Sequence, residues 1–184
     1  MILPFSTQIK GEPTFFPEKI ISALLKIYEE TGYRKLEEIF NFIYDFGEKQ
    51  GYNSDSIVLH CIENSKPKFH TIREDKNERW KPGVMIDFFI NARQKNMFRF
   101  APRIPVFSVQ KIEIKYSLFN IDNEKKLLPA VWIDDELFYD YMAIYQLQME
   151  HLAINDGFES LDDFFAYFDK DFKGKIIHWT DLKY

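Results

Sequence analysis

The sequence of 184 residues is poor in cysteine and in long apolar runs, and each shortage excludes a class of protein. Its single cysteine, Cys61, cannot form an internal disulfide, so the chain is not a disulfide-stabilised secreted scaffold. Charged residues interrupt every apolar stretch well before the roughly 18 to 20 residues that a membrane helix needs. The first residues lack the basic and apolar segments of a signal peptide. We therefore expect a cytoplasmic protein with no membrane span.

The sequence also lacks the motifs of common cofactor and metal sites. It contains no glycine-rich phosphate loop and no internal repeat. Cys61 lies beside His60, but no Cys-x-x-Cys or His-x-x-x-His spacing accompanies the pair. His151 and His178 are isolated in sequence, which favours packing or hydrogen-bonding roles for both. We predict neither a metal nor a cofactor.

Large apolar side chains are abundant by contrast, with 19 Phe and 10 Tyr. Such residues bury much area, so the chain needs no covalent staple to stabilise a core. The length is typical of one domain, and no stretch resembles a long linker. We expect a single domain over residues 1–184.

Charge is distributed unevenly along the chain. Residues 66–115 contain twelve Lys or Arg and five Asp or Glu, a net +7, whereas the whole chain is −5 and the remainder is therefore −12. A basic middle segment can form a positive face that attracts phosphates even in an acidic protein. Chance clustering on a solvated surface is the alternative.

Hydrophobic periodicity predicts an α+β fold. A period near 3.6 predicts helices over residues 17–31, 35–49 and 137–154, and the first two form a hairpin. Ser160 and Asp163 resemble a capping box before a short fourth helix. Residues 56–62 are too short to assign. Alternation with a period of two predicts strands, and hence a mixed or antiparallel sheet, over residues 68–73, 84–90, 97–100, 107–118, 130–133 and 176–179.

The segment from Lys68 to Arg73 is the most informative part of the sequence. On a strand, the period of two places Lys68 and His70 on one face and Thr71 and Arg73 on the other, so a twist or bulge is needed for Lys68 and Thr71 to converge. An ordinary exposed strand is the alternative. The segment resembles the ASCH signature G-x-K-x-x-T-x-R of the PUA-like superfamily. Lys68, Thr71 and Arg73 match that signature, and Lys66 stands at its glycine.

A second match lies downstream and sets the extent of the resemblance. Ala153 to Phe158 is similar to the family segment A-x-x-E-G-F, with Asp156 in place of glutamate. The resemblance covers residues 1–16 and about 66–184, and it implies a PUA-like β-barrel or a strongly curved mixed sheet with peripheral helices. The helical segment at about 17–62 is then an insertion.

The resemblance implies a binding module for RNA or a modified nucleotide. Lys68, Thr71 and Arg73 would line its cleft. Arg93, Lys95 and Arg99 would add backbone contacts, because residues 91–100 interleave cations with aromatic side chains as single-strand binding surfaces do. A strand with a charged outer face is the alternative for that segment.

Two other functions are also open. Some small ASCH-like proteins are amidohydrolases acting on acetylated cytidine, and the resemblance places their lysine, threonine and acid on Lys68, Thr71 and Asp156. Asp156 can instead belong to a helix C-cap, since Asn-Asp-Gly is a common turn. The remaining alternative is a protein-interaction module using the acidic, aromatic helices around Tyr28, Phe42 and Tyr141.

Overall fold

The computed structural model describes residues 1–31, 33–53, 56, 65–141 and 146–184. His60, Cys61 and nearly all of the unassigned segment 56–62 lie outside the described residues, as do Met142, Tyr145 and the side chain of Tyr28. The described helices are α1 (Phe16–Thr31), α2 (Tyr33–Gln50), α3 (Gln146–Asn155) and α4 (Leu161–Tyr167). The strands are β1 (Ile2–Phe5), β2 (Gln8–Ile9), β3 (Glu12–Pro13), β4 (His70–Arg73), β5 (Met85–Ile90), β6 (Phe98–Arg99), β7 (Ile104–Pro105), β8 (Ser108–Ile121), β9 (Glu124–Ile133), β10 (Glu136–Asp140) and β11 (Phe172–His178). The predicted α+β class is confirmed.

Backbone contacts divide the chain into two compact units. The first unit contains Met1–Phe69 and Gly83–Val106, and the second contains His70–Pro82 and Phe107–Tyr184. The single domain with a helical insertion at about 17–62 stays a prediction. None of the described helices is long and apolar enough to cross a membrane.

The first unit combines α1 and α2 with a mixed sheet. β5 pairs in parallel with β1 and antiparallel with β6 and β7, and a separate ladder joins β2 to β3. The Phe5 ring lies 5.9 Å from each of the rings of Phe88 and Phe100. Leu24 of α1 and Ile43 of α2 belong to the predicted apolar faces of these helices and are almost completely buried. Aromatic packing therefore forms much of this core.

The second unit is built on a five-stranded antiparallel sheet in the order β10-β9-β8-β11-β4. Alternation along β8 buries Ile112 and Ile114 on one face, and the register places Ile176 of β11 and Ile72 of β4 in the same apolar cluster. Helices α3 and α4 cover this face with Leu152 and other buried residues. The N-cap bond of the predicted capping box is confirmed, since the Asp163 backbone N–H donates to Ser160 Oγ over 3.1 Å. The Asp163 carboxylate accepts from the Ser160 hydroxyl over 2.7 Å.

The prediction of one helix over residues 137–154 was wrong at its start. Asp134 and Asp135 adopt φ angles of 51° and 71°, and this turn joins β9 to β10 as a hairpin. Tyr139 therefore pairs with Val131 in the sheet, and the described part of α3 is Gln146–Asn155. Pairing with β9 provides hydrogen-bond partners for the backbone groups of β10. This tertiary interaction overrides the helical periodicity of the β10 side chains.

The closed barrel offered as one form of the fold is not present among the described strands. The five-stranded sheet has β10 at one end and β4 at the other, and no described strand joins the two. The backbone N–H of Ile72 on β4 donates to the side chain of Asp156 instead of to another strand. A side chain thus satisfies part of the β4 edge, which keeps the sheet open.

Candidate functional site

The residues predicted to form one site are divided between the two units. The first unit holds Lys68, Arg93, Lys95 and Arg99, and the second holds Thr71, Arg73 and Asp156. Each group is described within its own unit.

Lys68 lies in the interior of the first unit. Its side chain is buried with a relative exposure of 1%. The ammonium group is 4.8 Å from the centroid of the Phe16 ring, and the backbone N–H donates to the Lys19 carbonyl over 2.9 Å. An ammonium over an aromatic face gains a cation–π attraction that offsets part of its desolvation cost. Lys68 is therefore part of the packed interior of this unit.

Two exposed cations of the first unit lie beside aromatic rings, and we call these residues, with the cations of the turn before β6, the cation–aromatic surface. The Arg99 guanidinium lies 5.2 Å from the Phe42 ring centroid, and the Lys49 ammonium lies 4.5 Å from that of Phe98. Strand β6 supplies Phe98 and Arg99, and α2 supplies Phe42 and Lys49. The remaining members, in the turn before β6, are Arg93 and Lys95. The surface thus combines phosphate-binding cations with rings that offer a stacking face.

The turn before β6 presents two of these cations. Asn91 and Arg93 have φ angles of 52° and 67°, and the Gln94 N–H donates to the Asn91 carbonyl over 3.0 Å. Strand β6 then pairs antiparallel with β5, with Arg99 opposite Phe89. Alternation leaves Arg99 exposed and buries the following Phe100.

Asp87 on β5 places a negative charge beside Arg99 and Arg103. Arg103 donates to both carboxylate oxygens of Asp87, over 2.7 Å from Nε and 2.9 Å from Nη2, and Arg99 Nη1 lies 3.9 Å away. The Arg103 hydrogen bonds lower the pKa of Asp87 to about 2, although burial opposes this shift. The Arg103 charge is therefore compensated within the protein. Arg93 and Lys95 form no ion pair with any described residue.

The chain was compared with protein-family models, with curated proteins and with solved structures. No match was found in any of the three. The similarity to the ASCH signature thus stays a prediction, and it depends on Lys68, Thr71 and Arg73.

Thr71 and Arg73 lie on β4, and neither side chain shares a face with the buried His70. Thr71 is buried, with an exposure of 2%, and Arg73 is partly exposed. The alternation of the strand places both on the face opposite His70 and Ile72. A cleft lined by Lys68, Thr71 and Arg73 stays a prediction.

Asp156 completes a helix terminus and supports the edge of the sheet. The Phe158 N–H donates to the Ala153 carbonyl and the Gly157 N–H to that of Ile154, the two bonds of a Schellman motif. Gly157 has a φ of 93°, which a residue without a side chain adopts readily. The C-cap interpretation of Asn-Asp-Gly is confirmed.

The carboxylate of Asp156 contacts strand β4. Its Oδ1 accepts the Ile72 N–H over 3.0 Å and lies 3.5 Å from Nδ1 of His70. The residue has a relative exposure of 4%. This geometry describes a structural carboxylate that joins the end of α3 to the free edge of β4.

Sequence reasoning missed a buried polar cluster around His70. The register of β4 and β11 pairs His70 with His178, and their ring centroids are 5.3 Å apart. The Tyr184 hydroxyl lies 2.8 Å from His70 Nε2 and accepts a hydrogen bond from Asn155 over 2.9 Å. Gln110 holds the Tyr184 backbone through two hydrogen bonds of 2.7 and 3.0 Å. The strand register brings the two histidines together, and Asn155 and Tyr184 join them from outside the strands, so no local sequence signal identifies the cluster.

The two histidines of this cluster are both fully buried. Burial, followed by repulsion from His70 and Lys183, lowers the pKa of His178 to about 3. Neither ring nitrogen of His178 has a hydrogen-bond partner among the described residues. No group of three or more His, Cys, Asp or Glu in the described part of the chain could hold a metal ion. The cluster thus lies in the interior of the second unit, with both imidazole rings shielded from solvent.

Replacement of Asp156 by alanine should destabilise the second unit. Asp156→Ala leaves the buried Ile72 N–H without its acceptor, and we expect a loss of about 1–3 kcal/mol in the free energy of unfolding. Asp156→Asn keeps an acceptor oxygen and should lose less than half as much. Urea unfolding followed by tryptophan fluorescence measures both. Equal losses in the two variants would show that the Asp156 side chain does not stabilise the unit by accepting the Ile72 N–H.

Proposed function

We propose that this protein binds RNA in single-stranded form through the cation–aromatic surface of the first unit. The observation that carries the proposal is the placement of exposed Arg99 against Phe42, next to Lys49 and Phe98. Guanidinium and aromatic planes offer stacking faces to unpaired bases, and nearby cations attract phosphates.

Electrostatics favours this surface over other basic positions of the first unit. Arg103 is paired with Asp87, whereas Arg93 and Lys95 project from a turn and form no described ion pair. Unpaired cations retain their full attraction for phosphate and release counterions when they bind it. Backbone contacts of this kind supply affinity without fixing the base sequence.

The ASCH resemblance is the second part of the proposal. Lys68, Thr71 and Arg73 would form a cleft for a nucleotide, in a strongly curved PUA-like sheet. Lys68 and Thr71 are almost completely buried, so we assign the first contacts with RNA to the cation–aromatic surface. We rank the amidohydrolase alternative lower for the same reason, and because the Asp156 carboxylate already accepts a hydrogen bond from the Ile72 N–H. The interaction-module alternative, which involves Tyr28, Phe42 and Tyr141, stays a prediction.

Charge reversal of the turn cations should weaken RNA binding strongly. We expect the double variant Arg93→Glu and Lys95→Glu to bind a labelled 12-nucleotide single-stranded RNA at least about tenfold more weakly at low salt. The slope of log affinity against log salt should become shallower by about 1.4, since each single-strand phosphate contact contributes about 0.7. Fluorescence anisotropy at several salt concentrations measures both quantities.

A matched control changes the same charge elsewhere. The double variant Lys125→Glu and Lys126→Glu alters two exposed lysines of the second unit and should retain wild-type affinity and slope. Equal losses in both double variants, or no binding by the wild type at low salt, would refute the proposal. Turnover of acetylated cytidine that is lost in both Lys68→Ala and Thr71→Ala would establish the amidohydrolase alternative instead.

A further inference from the structure

The second unit contains a groove of about 670 Å³ that the proposed RNA binding does not use. This volume is in the range of sites that bind small molecules. Its lining includes two carboxylates and four aromatic rings, together with leucine, proline and glutamine side chains. The carboxylates belong to Asp162 and Asp169, and the rings belong to Tyr116, Tyr139, Tyr141 and Phe165. The strands β8, β9 and β10 form one wall, and α4 forms the opposite wall.

Several of the aromatic rings are held in place by contacts within the unit. The Tyr116 hydroxyl donates to the Phe168 carbonyl over 2.6 Å. The rings of Tyr139 and Phe165 are 5.6 Å apart. Tyr141 is exposed at the rim, so its ring is free to cover a ligand. Side chains ordered in this way lose little conformational entropy when they bind a ligand.

The charge of the groove has one sign. Asp162 and Asp169 are exposed, and no Lys, Arg or His occurs among the described residues that line it. Burial and then the nearby Asp169 raise the pKa of Tyr116 to about 12. Burial, Tyr141, Asp140 and Asp162 together raise that of Tyr139. The phenols stay neutral at physiological pH, and the carboxylates add a negative field.

We propose that this groove binds a small organic cation that carries an ammonium group on an apolar body. The aromatic faces attract the cation through their quadrupoles, and the two carboxylates complement its charge. The same carboxylates repel anionic ligands. An uncharged ligand of the same shape gains neither the cation–π attraction nor the attraction to the carboxylates. Selectivity for positive charge is therefore the defining property of the site.

The test compares choline with 3,3-dimethylbutan-1-ol, in which carbon replaces the charged nitrogen. Titration of the full chain is followed by amide chemical-shift changes in two-dimensional NMR spectra. Choline should bind saturably at the groove and at least about tenfold more tightly than its neutral isostere. The double variant Asp162→Asn and Asp169→Asn should lose most of this preference while binding RNA as the wild type does.

Two further variants give controls. Tyr141→Ala removes an exposed ring and should weaken choline binding severalfold without unfolding the chain, whereas Asp181→Asn removes an exposed carboxylate outside the lining and should bind choline normally. Equal affinity for the two probes would overturn the proposal. Absence of saturable choline binding, or wild-type binding by both groove variants, would overturn it as well.

Discussion

Phe164→Ala should lower the free energy of unfolding of the second unit by about 3–5 kcal/mol, the largest stability effect that we expect from one substitution. Phe164 on α4 is fully buried in the apolar cluster over the five-stranded sheet. Its ring centroid lies 5.3 Å from that of Phe158 and 4.7 Å from that of Phe168. Truncation removes buried area and several aromatic contacts at once, and it leaves a cavity that rigid neighbours can fill only in part.

The measurement can be confined to the second unit. The three tryptophans, Trp80, Trp132 and Trp179, all belong to that unit, so denaturant unfolding followed by their fluorescence reports on it. Phe119→Ala is the matched control, because that ring is exposed on β8 and its loss should cost less than about 1 kcal/mol. A loss below about 1 kcal/mol for Phe164→Ala would show that α4 does not anchor this core.

Elements with a strong period were predictable from the sequence. The helices α1 and α2 and the long strand β8 lie close to their predicted positions because one face of each is apolar and the other is polar. Strand β10, which replaces the start of the predicted third helix, was not predictable in the same way. Phe138 and Tyr141 fit a helical stripe, yet the turn at Asp134 and Asp135 folds this segment back onto β9. The pairing of β10 with β9 decided the structure of this segment, and hydrophobic periodicity does not encode strand pairing.

The site residues show a similar division between local and long-range information. The cluster of cations and aromatics at residues 91–100 was visible in the sequence because its members are close together along the chain. Its partners Phe42 and Lys49 come from α2, some fifty residues earlier, and only the tertiary structure joins them. His70 and His178 are separated further still, and one register of β4 and β11 places them side by side.

The same histidine pair makes the stability of the second unit dependent on pH. Burial is the main cause of the low pKa of His178, which falls from the ordinary 6.5 to about 3. His70 and Lys183 add repulsion, and the negative charge of Asp156 acts in the opposite direction. At a pH between about 3 and 6.5, the unfolded chain binds a proton at His178 and the folded chain does not. The contribution is therefore complete above pH 6.5 and is lost progressively as the pH falls towards 3.

We expect His178 to account for about 2–3 kcal/mol of the stability lost by the second unit between pH 7.5 and 4.5. His178→Leu removes the titrating ring without removing a hydrogen bond to any described residue, so its unfolding free energy should depend much less on pH. Urea unfolding by tryptophan fluorescence at both pH values measures the difference between this variant and the wild type. His151→Leu removes an exposed histidine of α3 and should retain the wild-type pH dependence. Parallel pH profiles for His178→Leu and the wild type would mean that folding does not shift the pKa of His178.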